Sequence, residues 1–289
     1  MMKPFITLLL CPILFWSACR AERKPDDKTL LWRVSGHGLT KPSYLFGTIH
    51  MLCPDDYVWT GPMKNSLAAC DKVCFELDMD DPGLLAAAGA GMIDTSGKSL
   101  RDYFSAEQYA RLRQFAHDSL GADLSMMQMM KPVMLQALFL AKAVNCTFPV
   151  SYEANIMEEA RKSNKEVIGL ETVDEQLDVF EGIPDDSAAL MVLKMADSFA
   201  ESRHEFAQML ASYKAQDLPA LFTIVSQSKE LGDNLGAFLD DRNKKWISRI
   251  QRHMHGGPVF FAVGAAHLYG DVGVIHLLRK EGYTLTPVH

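Results

Sequence analysis

The chain has no excess of positive charge. Over 289 residues, 29 Lys and Arg stand against 36 Asp and Glu, a formal net charge of −7. A surface that binds phosphate backbones needs the opposite balance, so nucleic acid is set aside as a partner. Cysteine is scarce, six residues with no Cys-x-x-Cys pair. That excludes a disulfide-built scaffold and leaves zinc-finger and thioredoxin-type sites without support. No Gly-x-Ser-x-Gly, His-Glu-x-x-His, P-loop or Gly-x-Gly-x-x-Gly motif occurs, so serine hydrolase, zincin, nucleotide hydrolase and dinucleotide-enzyme readings have no footing. Internal repeats and low-complexity tracts are missing too. What remains, 48% apolar and 22% charged residues, is a globular composition.

The first two dozen residues depart from it. Lys3 precedes an uncharged apolar run from Pro4 to Trp16 that ends in Ser17-Ala18-Cys19. The run is about 13 residues, short of the ~20 that a spanning helix needs, and reads as a signal peptide over residues 1–18. Ser17-Ala18-Cys19 resembles a bacterial lipobox, which makes Cys19 the expected lipid-bearing residue and membrane contact. Residues 19–28 then form a solvated tether and residues 29–289 one folded domain. The expected location is the cell envelope, lipid-anchored to a bacterial membrane or otherwise periplasmic or secreted. Removing residues 1–18 takes away Lys3 and no acid, leaving 28 basic against 36 acidic residues, or −8. Cys53, Cys70, Cys74 and Cys146 remain beyond Cys19, and an oxidising compartment lets them pair. Cys70 and Cys74 fall near Val73 to Leu77, which reads as strand, so no bridge is assigned.

Short β segments are expected at Leu30 to Val34, Ser43 to Phe46 and Lys72 to Asp78, with a helix over Met63 to Ala69. The middle reads as helical. Ser105 with Gln108 forms a start signal for a helix to about Leu120. Further helices are predicted over Met126 to Val144, Glu153 to Ser163, Thr172 to Phe180, Ser187 to Lys214, Leu218 to Gln227 and Leu235 to His255, with a strand at Glu166 to Gly169. Pro258 to Val263 has the continuous apolar pattern of a strand buried on both faces. A helix over Asp271 to Lys280 and a strand over Tyr283 to Thr286 close the chain. The predicted fold is α/β: a mixed central sheet of N- and C-terminal strands, surrounded by helices, with a large helical insertion between them.

One pattern recurs at both ends, Gly47-Thr48-Ile49-His50 and Gly264-Ala265-Ala266-His267, each just after an apolar strand. Glycine permits a sharp turn there, and ligand sites of open α/β sheets lie beyond the strand ends. If the strands are neighbours, His50 and His267 converge, and two imidazoles plus a carboxylate are a common divalent-metal set. The carboxylate candidates are Glu76 and Asp78, on one face of a strand by alternation, with Glu76 preferred. The plain alternative for each histidine is a strand-end side chain bonded to a turn. Glu171 is either a site acid or a favourable charge at a helix start. Arg242-Asn243, beside Asp240 and Asp241, reads by default as a solvated helix face. The methionines at positions 126, 127, 129, 130 and 134 read as core filler.

These segments together resemble one family. Gly47 to His50, Phe75-Glu76-Leu77-Asp78, Lys165 to Gln176 (KEVIGLETVDEQ), Arg242-Asn243 and Phe260 to Gly270 (FFAVGAAHLYG) with Glu281-Gly282-Tyr283 are similar to the TraB/GumN family, in its order and over roughly Leu30 to Val288. The family includes the Tiki proteins, membrane-tethered metalloproteases that use divalent cations. The resemblance implies a metal-dependent hydrolase acting on a peptide or protein substrate, with Mn, Co or Zn held by His50, His267 and Glu76. Glu76, Arg242, Asn243 and Glu171 would be its catalytic set, with Arg242 on a developing oxyanion. It departs from the family at Ser151-Tyr152-Glu153, where many members carry Gly-x-Asp, and this leaves the role of Glu153 open. The alternative is a non-catalytic envelope protein that sequesters a ligand in the same cleft.

Overall fold

A computed structural model describes residues 28–228 and 234–289. The signal segment, Cys19 and the tether except Lys28 lie outside those residues. Strands β1 (Leu31–Gly36) and β2 (Ser43–Thr48) form an antiparallel hairpin, followed by α1 (Gly61–Ala68) and β3 (Lys72–Leu77). Helices α2 (Leu84–Gly91), α3 (Ala106–Leu120), α4 (Pro132–Ala141) and α5 (Tyr152–Lys162) lead to β4 (Glu166–Glu171). Then come α6 (Val173–Glu181), α7 (Asp185–Asp197), α8 (Phe199–Lys214), α9 (Leu218–Ser226) and α10 (Asp241–His255). Strand β5 (Val259–Gly264), helix α11 (Val274–Lys280) and strand β6 (Tyr283–Pro287) end the chain.

The six strands make one mixed sheet in the order β4-β3-β5-β2-β1-β6. Strands β4, β3, β5 and β2 pair in parallel, while β1 alone runs the other way, pairing antiparallel with β2 on one side and β6 on the other. N- and C-terminal strands do meet: Gly47 pairs with Val263 and Thr48 with Gly264. The apolar run of β5 is buried on both faces, from Val259 to Val263, as the centre of a sheet covered by helices requires. Parallel strands share one carboxyl edge, so the last residues of β4, β3, β5 and β2 arrive side by side.

Local signals in the sequence account for several boundaries. Ser105 accepts from the Gln108 amide while Gln108 returns a bond to the Ser105 amide, the expected capping box of α3. Thr172 and Glu175 do the same for α6. Other expectations are corrected. The helix expected over Met126 to Val144 starts only at Pro132, at the first helical position where its missing N–H costs nothing. Met126 and Met129, ahead of that start, are exposed rather than core, at 85% and 63%; Met134 is buried. The helix expected over Ser187 to Lys214 breaks at Ser198 into α7 and α8. Helix α2, Leu-Leu-Ala-Ala-Ala-Gly-Ala-Gly, was not anticipated, because it has no polar positions to set a period.

Cys53 and Cys146 form a disulfide, and Cys70 and Cys74 are buried thiols. Among the described residues no helix is long and apolar enough to cross a membrane.

Candidate active site at the strand ends

Each strand of the parallel set delivers one site residue to the shared carboxyl edge. Glu76 lies near the end of β3, Glu171 closes β4, His267 follows β5 by one short turn, and His50 follows β2 by two residues. The paired glycines are needed there for close approach rather than for a special backbone angle, since neither Gly47 nor Gly264 has positive φ. A Cβ on Gly47 would stand 3.0 Å from the Ala265 Cα and 2.9 Å from a Leu268 methyl. One on Gly264 would stand 3.2 Å from a Glu76 carboxylate oxygen. The two Gly-x-x-His turns are therefore packed backbone against backbone.

Helix α10 supplies the centre. A π-helical turn, Gly236–Asp240, runs into it, and Arg242 and Asn243 head its buried stripe with Trp246, Ile247, Ile250 and Met254. The solvated-face reading of Arg242-Asn243 is thus overturned: they are 8% and 1% exposed. Arg242 joins two carboxylates. Its Nη2 donates to Glu76 Oε2 and Glu171 Oε1, each at 2.5 Å, and its Nε donates to Glu171 at 3.1 Å. Nη1 donates to the Phe238 carbonyl at 3.1 Å and to His267 Nε2 at 3.2 Å. All five guanidinium hydrogens are spent on protein acceptors. Glu171 is further held by Trp246 Nε1 and Gln176 Nε2, each at 3.0 Å, while Thr172 caps α6.

The tautomer of His267 follows from its neighbours. Asn243 Nδ2 donates to the carbonyls of Val272 and His267, at 2.9 and 3.3 Å, so its Oδ1 faces His267 Nδ1 at 2.7 Å and accepts a proton from it. Nε2 accepts from Arg242, so the ring is neutral. Burial favours the same state: it pushes the His267 pKa down to about 3, against the pull of Glu76. Glu76 Oε1 accepts the Gly264 N–H at 2.8 Å and lies 3.9 Å from His267 Nε2. Burial works against the Glu76 carboxylate, and the Arg242 guanidinium, the charge of His50 and the Gly264 N–H outweigh it, holding the carboxyl below its usual range.

His50 is held differently. Its Nδ1 lies 3.0 Å from Glu153 Oε1, and its side chain is 70% exposed. The hydrogen bond to Glu153 raises its pKa. Glu153 also accepts from Thr48 Oγ1 at 2.7 Å and Ser151 Oγ at 2.8 Å, so this residue, left open by the sequence, is His50's partner. Its separation of 103 residues from His50 hid the pairing. Asp78 only closes the local turn at Asp80. Glu76, Glu171, Arg242, Asn243 and His267 form one buried cluster, and His50 with Glu153 stands at its side, felt by Glu76 through charge.

The donor chemistry suits a divalent cation. His267 has its lone pair on Nε2, where Arg242 engages it, whereas His50, raised to about 9, must give up its Nε2 proton before it can serve as a ligand. Two carboxylates share one guanidinium, leaving negative charge in excess in a buried place. The side-chain positions are less suited: among the described residues no group of three or more His, Cys, Asp and Glu is placed to hold a metal ion.

Comparison with known proteins adds lineage. The profile of the TraB/PrgY/gumN family matches residues 30–287. The chain is 24% identical to "Metalloprotease TIKI1" of Danio rerio, over 92% of this chain and 65% of that protein. It is 22% identical to "Metalloprotease TIKI2" of Danio rerio, over 89% and 60%, and 25% identical to "Metalloprotease TIKI1" of Homo sapiens, over 91% and 63%. It thus spans less than two thirds of the length of these relatives. No solved structure matches it.

Proposed function

The chain belongs to the TraB/PrgY/gumN family, and from that premise we propose that it is a divalent-metal-dependent hydrolase of the cell envelope that cuts peptide bonds. The observation that carries this reading is the matched setting of two imidazoles, His50 on Glu153 and His267 on Asn243. Metal-binding histidines hand their second nitrogen to such acceptors. His50, His267 and Glu76 would hold the ion. Mn²⁺, Co²⁺ or Zn²⁺ bound there supplies Lewis acidity toward a scissile carbonyl and a nucleophile from water near neutral pH.

The chain's own groups have separable tasks. Glu76, ionised and aimed by the Gly264 N–H, is a ligand or the base that takes a proton at its carboxylate. Arg242 holds Glu76, Glu171 and His267 in register, and serves a developing oxyanion only on releasing one of its five bonds. Asn243 fixes the His267 tautomer.

Envelope location is supported by the Cys53–Cys146 disulfide, since such bonds persist in oxidising compartments; lipidation of Cys19 is the proposed anchor. A second reading, a binding protein that sequesters a peptide in the same cleft, is favoured by the spent Arg242 donors and by the spacing of the candidate ligands. Cleavage of a peptide library with added Mn²⁺, Co²⁺ or Zn²⁺, against an EDTA control, separates the two. Metal content that is unchanged in the His50→Ala/His267→Ala double variant overturns the site assignment.

A further inference from the structure

His267 is fixed from within the core, whereas His50 sits on an exposed turn and meets its partner across a long stretch of chain. Three ties bring the two segments together. Leu52 and Val150 exchange both backbone hydrogen bonds, at 3.1 and 2.8 Å, in an isolated antiparallel bridge. Beside that bridge, the Cys53–Cys146 disulfide closes a sequence separation of 93 residues. Beyond it, the Glu153 carboxylate grips Thr48, His50 and Ser151 together. Cys53 follows His50 by three positions, and Val150 precedes Glu153 by three. Cys53 and Cys146 are both partly exposed, and Pro54, Asp55, Asn145 and Thr147 around them are exposed, while the free thiols Cys70 and Cys74 are buried.

We propose that the Cys53–Cys146 disulfide, with the Leu52–Val150 bridge, is a redox-sensitive clamp that seats His50 on Glu153, so that reduction unseats one imidazole of the site and leaves the other in place. The reductant is a dithiol. Its thiolate attacks one sulfur, giving a mixed disulfide and releasing the other cysteine as a thiolate. Its second thiol then displaces the first cysteine. Two electrons pass to the S–S bond, Cys53 and Cys146 end as thiols after protonation, and the dithiol ends as a disulfide. The loosening stays local. Tyr152 Oη still donates to the Val58 carbonyl at 2.8 Å and Lys214 still pairs with Asp56 at 2.5 Å, holding the far side of the turn. Asn243 and β5 hold His267 independently.

The test compares the full chain oxidised, reduced with dithiothreitol, and as Cys53→Ala/Cys146→Ala. NMR follows the Leu52 and Val150 amides, the β5 amides and the imidazole ¹⁵N signals of His50 and His267. The clamp requires the Leu52 and Val150 amides to exchange faster, on the order of tenfold or more, and the His50 signals to move. The His267 signals and the β5 amides must stay. Unchanged Leu52, Val150 and His50 signals overturn it, and so does equal disturbance of His267, which would make the disulfide a tie of the whole fold. Should the double variant not fold, the reduced natural chain decides. A Mn²⁺ titration joins the clamp to the proposed function, on which only this readout rests: affinity falls on the order of tenfold upon reduction. If the oxidised chain binds no Mn²⁺, the metal reading fails while NMR still judges the clamp.

Discussion

Asn243 accepts the Nδ1 proton of His267 at 2.7 Å while its amide nitrogen donates to two carbonyls of the following turn. One side chain thereby sets the tautomer of the histidine and pins the loop that carries it. Arg242, the adjacent residue, addresses the other ring nitrogen of the same histidine. Two consecutive positions of α10 engage both nitrogens of one imidazole, and three further bonds of Arg242 reach the carboxylates of the neighbouring strands.

Asn243→Ala removes all three bonds and leaves the Val272 and His267 carbonyls short of a donor. Unfolding by denaturant should show a loss of roughly 2–4 kcal/mol. If His267 holds a metal ion as proposed, affinity for that ion should fall by about 10–100-fold on loss of the ring's outer partner. A variant with normal metal affinity and lowered stability would restrict Asn243 to a packing role.

Much of this site is legible in the sequence because it depends on strands. An apolar run followed by Gly-x-x-His fixes which end of β2 and β5 carries the imidazole, and alternation in Phe75-Glu76-Leu77-Asp78 puts Glu76 on a usable face. Arg242 is harder, because Asp240, Asp241, Lys244 and Lys245 around it disguise a buried position. The signal was present: Arg242, Asn243, Trp246, Ile247, Ile250 and Met254 are one helical stripe whose first two members are polar. Glu153 and the Cys53–Cys146 pair lie beyond such reasoning, since the partners are 103 and 93 residues apart and no local period links them.

Arg242→Met takes the guanidinium from between Glu76 and Glu171, whose side chains are 12% and 4% exposed. Leaving two close carboxylates buried without it should cost about 3–5 kcal/mol. Arg242→Lys should recover little, because one ammonium does not reproduce a fork that reaches two carboxylates, a carbonyl and an imidazole. Chemical denaturation of both variants checks the order.

Stability should also respond to acid through Glu175. The hydrogen bonds from Arg249, at 2.6 and 2.7 Å, together with the Thr172 amide, lower its pKa from 4.5 to about 2, although burial opposes them. A carboxyl whose pKa is depressed on folding contributes stability that is fully present above 4.5 and is lost as pH falls toward 2. Thermal melts between those limits should fall less steeply in Glu175→Gln than in the natural chain. Equal slopes would place the acid sensitivity elsewhere.

The two Gly-x-x-His turns give the last prediction, because they separate close approach from backbone freedom. Gly47 has ordinary negative φ, so alanine is conformationally permitted there, but its Cβ would press on the Ala265 backbone at 3.0 Å. Backbone cannot swing aside as a side chain can, so β2 and β5 must part slightly at the edge that holds the site. Overpacking of this kind costs about 1–3 kcal/mol. Gly61, at the first position of α1, has nothing within 4 Å of such a Cβ, and Gly61→Ala should be neutral or mildly stabilising through helix propensity. If Gly47→Ala is as well tolerated as Gly61→Ala, the glycine is not what lets the turns meet. Their convergence would then rest on the pairing of Thr48 with Gly264 alone.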